Sequence, residues 1–514
     1  MNFIFVQKKV EAKKIKTALI SVFDKQGLEP IAKQLHQNGV KIISTGGTKD
    51  FIEKLQIPVV SVEQITTFRS ILGGRVKTLH PLIFGGILSR RSEQQDIEEM
   101  IKFNIGAIDL VIVDLYPFEK TVASTTDNSQ IIEKIDIGGI SLIRAAAKNY
   151  QDVVVIPSKE YYNVLENIIQ NQVQSTLEQR RELAKAAFNV SSHYDTAIYK
   201  YFSDNPFEAL KISVNQSMEL RYGENPHQQG RFFGNFNDIF EQLFGKQISY
   251  NNLLDIDSAV NLIADFDEPT IAIIKHNNAC GLASRDNMLA AWTDALAGDP
   301  LSAFGGIIVA NRPIDNQTAE EINKIFYEVV IAPDFSPQAL EILMSKKNRI
   351  ILKQKHKINN PIQVRSALNG FLVQEKDQKI VTHSDFQLKS TRKPSKQEIE
   401  DLIFANKIVK HSKSNTIVLT KNKQLIGSGV GMTSRVDALK FAITKAQTFG
   451  FETKGAVMAS DAFFPFADSV EIAYNQGIEA VIEPGGSIKD QDTIDFCNKN
   501  NMLLIFTGFR HFKH

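Results

Sequence analysis

The chain has 514 residues, a formal net charge of +1, 43% hydrophobic residues and two cysteines. That length allows two to four domains of about 150 residues each, with cores that need no disulfides. The near-zero charge argues against an electrostatic grip on nucleic acid, and Cys280 and Cys497, far apart in sequence, imply no disulfide framework and fit a reducing compartment.

The N-terminal run Met1–Val6 is too short for the apolar region of a signal peptide, and no stretch reaches the apolar length of a membrane span. A cytoplasmic protein with no membrane partner is expected. Strand-like and helix-like segments then alternate. Ala18–Phe23 is apolar and β-prone, and Leu28, Ile31, Ala32 and Leu35 recur at helical spacing. Val40–Thr45 is a second strand, followed by Gly46-Gly47 and a helix carrying Phe51, Ile52 and Leu55. Pro58–Val62, Asp109–Leu115 and Val153–Ile156 read as further strands. This βαβ rhythm predicts a doubly wound parallel sheet. Residues 175–202 are helical in pattern, and Asp204-Asn205-Pro206 places a boundary near 203–216.

The second half resumes the alternation, with strands expected at Ile271–Ile274, Gly306–Ala310, Ile350–Leu352, Thr416–Leu419, Ala456–Ala459, Ala480–Ile482 and Met502–Phe506. The first of these, a short apolar run between Pro269 and a Gly-bearing turn, reads as a buried parallel strand. Self-similarity is faint. Ile307–Ala310 follows Ser302-Ala303-Phe304-Gly305, and Ser460-Asp461-Ala462-Phe463-Phe464 follows another buried run. This predicts a duplicated α/β unit.

Several segments carry chemistry. Lys275 and His276 end the apolar run at 271–274, where ligands sit in open α/β sheets. Lysine supplies a point charge and histidine a base near neutrality. By itself such a dipeptide is more often a solvated strand end. Ser44-Thr45-Gly46-Gly47-Thr48 joins a strand to a helix, as a phosphate-binding turn does, though an ordinary tight turn has the same look. Gly74-Arg75-Val76-Lys77-Thr78-Leu79-His80-Pro81 offers two cations and a hydroxyl to an anion, or is a solvated basic loop. Tyr116 is either a proton donor or an aromatic lid, and Lys148 with Asn149 ends an alanine-rich helix, where the dipole favours a cation. There is no Walker A loop, no G-x-G-x-x-G at a strand-to-helix junction, no H-E-x-x-H and no C-x-x-C, so ATP use and a catalytic zinc have no support.

Taken in order, these islands resemble the bifunctional purine-biosynthesis family that joins 5-aminoimidazole-4-carboxamide ribonucleotide (AICAR) formyltransferase to IMP cyclohydrolase. The resemblance spans essentially the whole chain. It implies an α/β protein: an N-terminal methylglyoxal-synthase-like doubly wound domain, then duplicated cytidine-deaminase-like units without zinc. The cyclohydrolase is expected in residues 1–209 and the transformylase in 210–514.

For the cyclohydrolase, the resemblance implies substrate contacts at Ser21, Lys25, Thr45, Gly46, Gly47, Thr48, Arg75, Thr78 and Asn149, with Lys77, Tyr116, Asp136 and Lys148 catalytic. For the transformylase it implies Lys275, His276 and Asn415 as catalytic, and Arg221, Tyr222, His227 and Arg510 on the nucleotide. Phe463, Pro465 and Phe466 would receive the folate. The co-substrate implied is 10-formyltetrahydrofolate, the substrates AICAR and formyl-AICAR, and the assembly a homodimer whose transformylase sites use both subunits. No catalytic metal is implied. Three positions depart from the commoner pattern: Phe23 replaces serine, Asp114 replaces asparagine, and Ala279 stands where proline is common. Phe23 and Asp114 leave room for a rival, a transformylase whose first domain only senses nucleotides.

Overall fold

The computed structural model describes residues 12–514, so the apolar run Met1–Val6 lies outside the described residues. Contacts divide the chain into two compact units, with the division at Asn215/Gln216.

In the first unit, β1 (Thr17–Val22), β2 (Lys41–Ser44), β3 (Val59–Ser61), β4 (Leu110–Asp114) and β5 (Val154–Ile156) form a five-stranded sheet in the order β3-β2-β1-β4-β5. Every pairing is parallel, as the βαβ rhythm predicted. Adjacent residues Leu19 and Ile20, and likewise Val111 and Ile112, are fully buried, so both sheet faces are covered. The strand order turns back between β1 and β4, which opens a crevice at their carboxyl ends. Helix α1 (Gly46–Lys54) leaves β2 at that edge, and α2 (Gly138–Lys148) begins near it. Helix α3 (Leu177–Phe202) starts from a capping box, in which Thr176 Oγ1 accepts from Gln179 N and Gln179 Oε1 accepts from Thr176 N.

In the second unit a short antiparallel pair, Ser217–Glu219 with Arg231–Phe233, precedes an edge strand, β6 (Phe240–Phe244). Then come α4 (Tyr250–Ile263), a hairpin of β7 (Thr270–Lys275) and β8 (Asn278–Ser284), α5 (Met288–Gly298), β9 (Ile307–Ala310), α6 (Asn316–Asn323), β10 (Val329–Ala332), α7 (Pro337–Met344) and β11 (Ile350–Gln354). An antiparallel ribbon of β12 (Ile362–Ala367) and β13 (Gly370–Glu375) and an edge strand, β14 (Gln387–Leu388), follow. The pattern then recurs as α8 (Lys396–His411), a hairpin of β15 (Ile417–Lys421) and β16 (Gln424–Gly429), α9 (Arg435–Thr448), β17 (Val457–Ser460), α10 (Asp468–Asn475), β18 (Ala480–Glu483), α11 (Asp490–Lys499) and β19 (Leu503–Phe506).

One twelve-stranded sheet results, in the order β6-β11-β10-β9-β7-β8-β16-β15-β17-β18-β19-β14. Each copy sets its hairpin antiparallel to the next strand and runs the remaining three parallel. The copies join through antiparallel β8 and β16, at Ala283 and Gln424. The duplication is therefore present. The motifs that suggested it are not equivalent, however: Ser302–Gly305 precedes β9, whereas Asp461–Phe464 follows β17, the strand that matches β9.

A second expectation is corrected. The run at 271–274 is antiparallel to both neighbours. Ile271 and Ile273 pack into one core while Ala272 and Ile274 pack into another. A continuous apolar run thus reports burial on two faces, not strand direction. Asn278-Ala279-Cys280-Gly281, expected as a turn, begins β8. The turn is only His276 and Asn277, at φ 47° and 65°, the positive φ pair of a type I′ hairpin.

Candidate active sites

In the first unit a cavity of about 750 Å³ opens at the carboxyl edge of the sheet. It is lined by Ser21, Lys25, Thr45, Gly46, Gly47, Thr48, Arg75, Lys77, Thr78, Tyr116 and Asp136, together with Phe23, Asp114 and Lys134. At one end Thr45 caps α1, and its buried Oγ1 has no partner. A Cβ on Gly46, which sits at φ 51°, would meet Lys77 Nζ at 3.4 Å, so the ammonium stands over the start of the helix. An unengaged hydroxyl, free N–H groups of a helix N-terminus and an ammonium make an anion site. Thr48 is structural: its Oγ1 donates to Val22 O at 2.9 Å. Lys25 donates to Val22 O and Phe23 O at 2.9 and 2.8 Å, and burial lowers its pKa. Arg75 pairs with Glu133.

At the other end, Asp136 Oδ1 accepts from Gly139 N at 2.6 Å. A Cβ on Gly139 would lie 2.7 Å from Asp136 Oδ2, so glycine is what lets the carboxylate close on α2. Burial pushes the Asp136 carboxyl above its ordinary value. Burial, and then the nearby Asp136 charge, raises the Tyr116 phenol. The loop is braced from α3: Asp136 N donates to Tyr194 Oη at 2.9 Å, and Tyr194 Oη donates to Lys134 O at 2.6 Å. Lys148 and Asn149 are not brought to this cavity. They end α2, about 15 Å along its axis from Gly138 at 1.5 Å per residue. Lys148 is exposed, and Asn149 Nδ2 donates to Ile87 O and Ser89 O at 2.8 and 2.9 Å.

The second unit has two cavities near the joined hairpins. One, of about 240 Å³, is lined by Lys275, His276, Asn278, Cys280, Asp299 and Lys445 among others. Lys275 Nζ donates to Phe304 O at 2.8 Å, which leaves further N–H donors on the ammonium. His276 is exposed at the rim. Asp255, on α4, holds the turn by accepting from Asn277 N at 2.6 Å, and burial raises its carboxyl. Burial also pushes the Cys280 thiol up to about 12, which leaves it inert as a nucleophile.

The other cavity, about 530 Å³, collects Asn415, Arg435, Phe463, Pro465, Phe466, Arg510 and Phe512. The two adjoin: Lys413 N donates to Asn278 Oδ1 at 3.3 Å, two residues before Asn415. Asn415 is fully engaged, its Oδ1 accepting from Arg435 Nη2 at 2.8 Å and its Nδ2 donating to Met432 O and Thr433 O at 2.9 and 3.3 Å. It shapes the wall and has no amide hydrogen to offer a ligand. Arg221, Tyr222 and His227 lie on the loop between the paired strands Ser217–Glu219 and Arg231–Phe233 and line neither cavity.

Sequence reasoning missed Asp255, Tyr194, Lys134 and Glu483. Each acts across the fold, so no local motif marks it. Glu483 shows the cost. It is buried at the end of β18, where Oε2 accepts from Phe464 N at 2.9 Å and so fixes the Phe463–Phe466 wall. Burial pushes its carboxyl up from 4.5 to about 8. Between those values the folded state holds a proton that the unfolded state releases, so stability falls as pH rises. Relative to Glu483→Gln, the wild type should lose up to about 1.4 kcal/mol per pH unit across that window and nothing further above it. Denaturant midpoints from pH 5 to pH 9 check this. A gap between the two proteins that does not change with pH contradicts it.

Two α/β units thus carry separate ligand cavities, one with an anion end and an acid-base end, the other built on a Lys-His turn beside an aromatic wall. Among the described residues no group of three or more His, Cys, Asp or Glu side chains is placed to hold a metal ion. Family comparison matches residues 146–445 to the AICARFT/IMPCHase bienzyme and residues 27–141 to an MGS-like domain. The chain belongs to the AICARFT/IMPCHase bienzyme family. It is 60% identical to the bifunctional purine biosynthesis protein PurH of Bacteroides thetaiotaomicron, across 98% of this chain and 100% of that protein. The proteins of the same name from Acetivibrio thermocellus and Aquifex aeolicus are 47% and 46% identical, each across 97% of this chain and 100% of theirs.

Proposed function

We infer that the chain performs two consecutive steps of IMP synthesis: formyl transfer from 10-formyltetrahydrofolate to AICAR, then dehydrative closure of formyl-AICAR. The observation that carries this reading is the co-occurrence, in one member of this family, of the Lys275–His276 cavity and a separate anion-binding cavity that holds Lys77, Tyr116 and Asp136. We assign closure to residues 1–209 and transfer to 210–514, a division supported by the contact boundary at Asn215/Gln216.

The amine of AICAR is a poor nucleophile, because its lone pair delocalises into the ring and carboxamide. Transfer therefore needs a base for the amine proton and a cation for the oxyanion that develops on the formyl group. His276, exposed on its turn, suits the first task, and the unused N–H groups of Lys275 suit the second. Phe463, Pro465 and Phe466 offer the pterin an apolar wall, with Arg510 beside it. Asp255 acts as a positioning residue by fixing the turn. Asp255→Ala should lower kcat for transfer about tenfold and leave the AICAR KM nearly unchanged. Steady-state kinetics with the amine varied check this, and an unchanged kcat removes the role.

In ring closure the carboxamide nitrogen attacks the formyl carbon of the same molecule and water leaves. Proximity supplies much of the rate, so the site holds the chain of atoms flat and moves protons. Thr45, Gly46, Gly47 and Lys77 receive the phosphate end, Asp136 takes the proton that the carboxamide nitrogen loses on attack, and Tyr116 protonates the formyl oxygen. The hydroxyl so formed leaves as water with the proton released by the formamide nitrogen as the C=N bond forms.

Leu301 and Phe304 are 76% and 64% exposed beside Lys275. Such uncovered apolar side chains next to a catalytic lysine support a homodimer in which a second subunit covers them. No described helix is long and apolar enough to cross a membrane, and a cytoplasmic location without nucleic-acid partners fits the near-zero net charge. Purified formyl-AICAR given to the protein without folate tests the first-unit assignment. IMP is expected, and bound but unconverted formyl-AICAR would make this unit a nucleotide sensor instead.

A further inference from the structure

The first-unit cavity contains an aromatic corner of which the mechanism above uses only the Tyr116 hydroxyl. Phe23 follows β1 into the cavity and is 40% exposed. Tyr116, 37% exposed, meets it edge to face, with ring centroids 5.3 Å apart and planes at 89°. Lys134 Nζ sits in the corner, 5.2 Å from the Phe23 centroid and 5.5 Å from that of Tyr116. Lys25 pins the Phe23 carbonyl, and Tyr194 pins the Lys134 carbonyl, so both walls of the corner are anchored.

A large ring held open to solvent, in a cavity otherwise rich in Gly, Thr, Lys and Asp, has a face available for another flat π-system. The ammonium now over that face is held by a weak cation–π contact that a ligand can displace. The opposite end of the cavity, at Thr45 and Lys77, is the anion end. A ligand spanning both is a phosphorylated ribose bearing a flat heterocycle.

We propose that Phe23 is the base-stacking, specificity-determining residue of this pocket, and that Lys134 holds its place over the ring until a nucleotide base displaces it. Stacking on Phe23 selects the conformer in which carboxamide and formamide lie in the imidazole plane, as closure to a purine requires. The displaced ammonium stays beside the Tyr116 ring, where a carbonyl oxygen of the base can receive it. This rests on the first-unit cavity being the ring-closing site.

The test compares wild type, Phe23→Ser and Phe23→Trp for binding of IMP and of ribose 5-phosphate, with formyl transfer as the check on folding. Phe23→Ser should weaken IMP about tenfold, the order expected for one lost base–aromatic stack, and leave ribose 5-phosphate unchanged. Phe23→Trp should keep IMP affinity. Its added fluorescence, over the single native tryptophan, should be quenched by IMP and not by ribose 5-phosphate. IMP binding unaltered in Phe23→Ser, equal weakening of both ligands, or an unquenched Trp variant overturns the proposal. A wild type that binds neither ligand would instead refute the ring-closing site itself.

Discussion

His276→Ala should lower formyl transfer to AICAR by about a hundredfold or more, the loss typical of a removed general base. Closure of supplied formyl-AICAR should proceed at the wild-type rate, because that chemistry belongs to the other unit. His276 lies on a two-residue turn at positive φ, so the substitution removes the imidazole with little new strain: the backbone is set by the hairpin and by Asp255 rather than by the side chain. Stopped assays of each half-reaction, with product identified by mass, separate the two rates. Near-normal transfer in the variant would take the base assignment away from His276.

Asp136→Asn should have the mirror effect. The amide oxygen can still accept from Gly139 N, so the start of α2 stays capped, but no proton can be taken or returned. Ring closure should fall about a hundredfold and formyl-AICAR should accumulate while transfer continues. In the wild type, burial raises the Asp136 carboxyl above its ordinary 3.8. The closure rate should therefore drop on acidification at a pH above that value, and Asp136→Asn should lack this limb. A variant that closes the ring at the wild-type rate, with the same pH profile, would show that the carboxylate only caps the helix.

The two units were not equally legible from sequence. In the first, alternating strand and helix signals led directly to the parallel sheet, because each βαβ connection constrains the next. The glycines and cations of 45–48 and 74–78 also marked the cavity, since anion sites are built from local turns. Lys148 shows the limit. Twelve residues after Asp136 in sequence, it lies at the far end of α2, the helix whose start Asp136 holds, and only the helix length reveals it. In the second unit the run at 271–274 was found but given the wrong direction, since two-faced burial looks the same in either orientation. β10 and β16 were not anticipated. β10 pairs only with strands on the far side of a helix in sequence, and β16, although it makes a hairpin with β15, carries two glycines, which weaken a strand signal. Asp255, Glu483 and Tyr194 were invisible for a related reason: each holds a segment that only the tertiary fold brings near.

One chain is proposed to carry out two reactions in order. Incubating the purified protein with AICAR and 10-formyltetrahydrofolate, and following products by mass over time, tests it most directly. The account predicts IMP as the end product, with formyl-AICAR passing through as an intermediate that persists only in Asp136→Asn. Formyl-AICAR as the sole end product of the wild type, or no product at all, would contradict it.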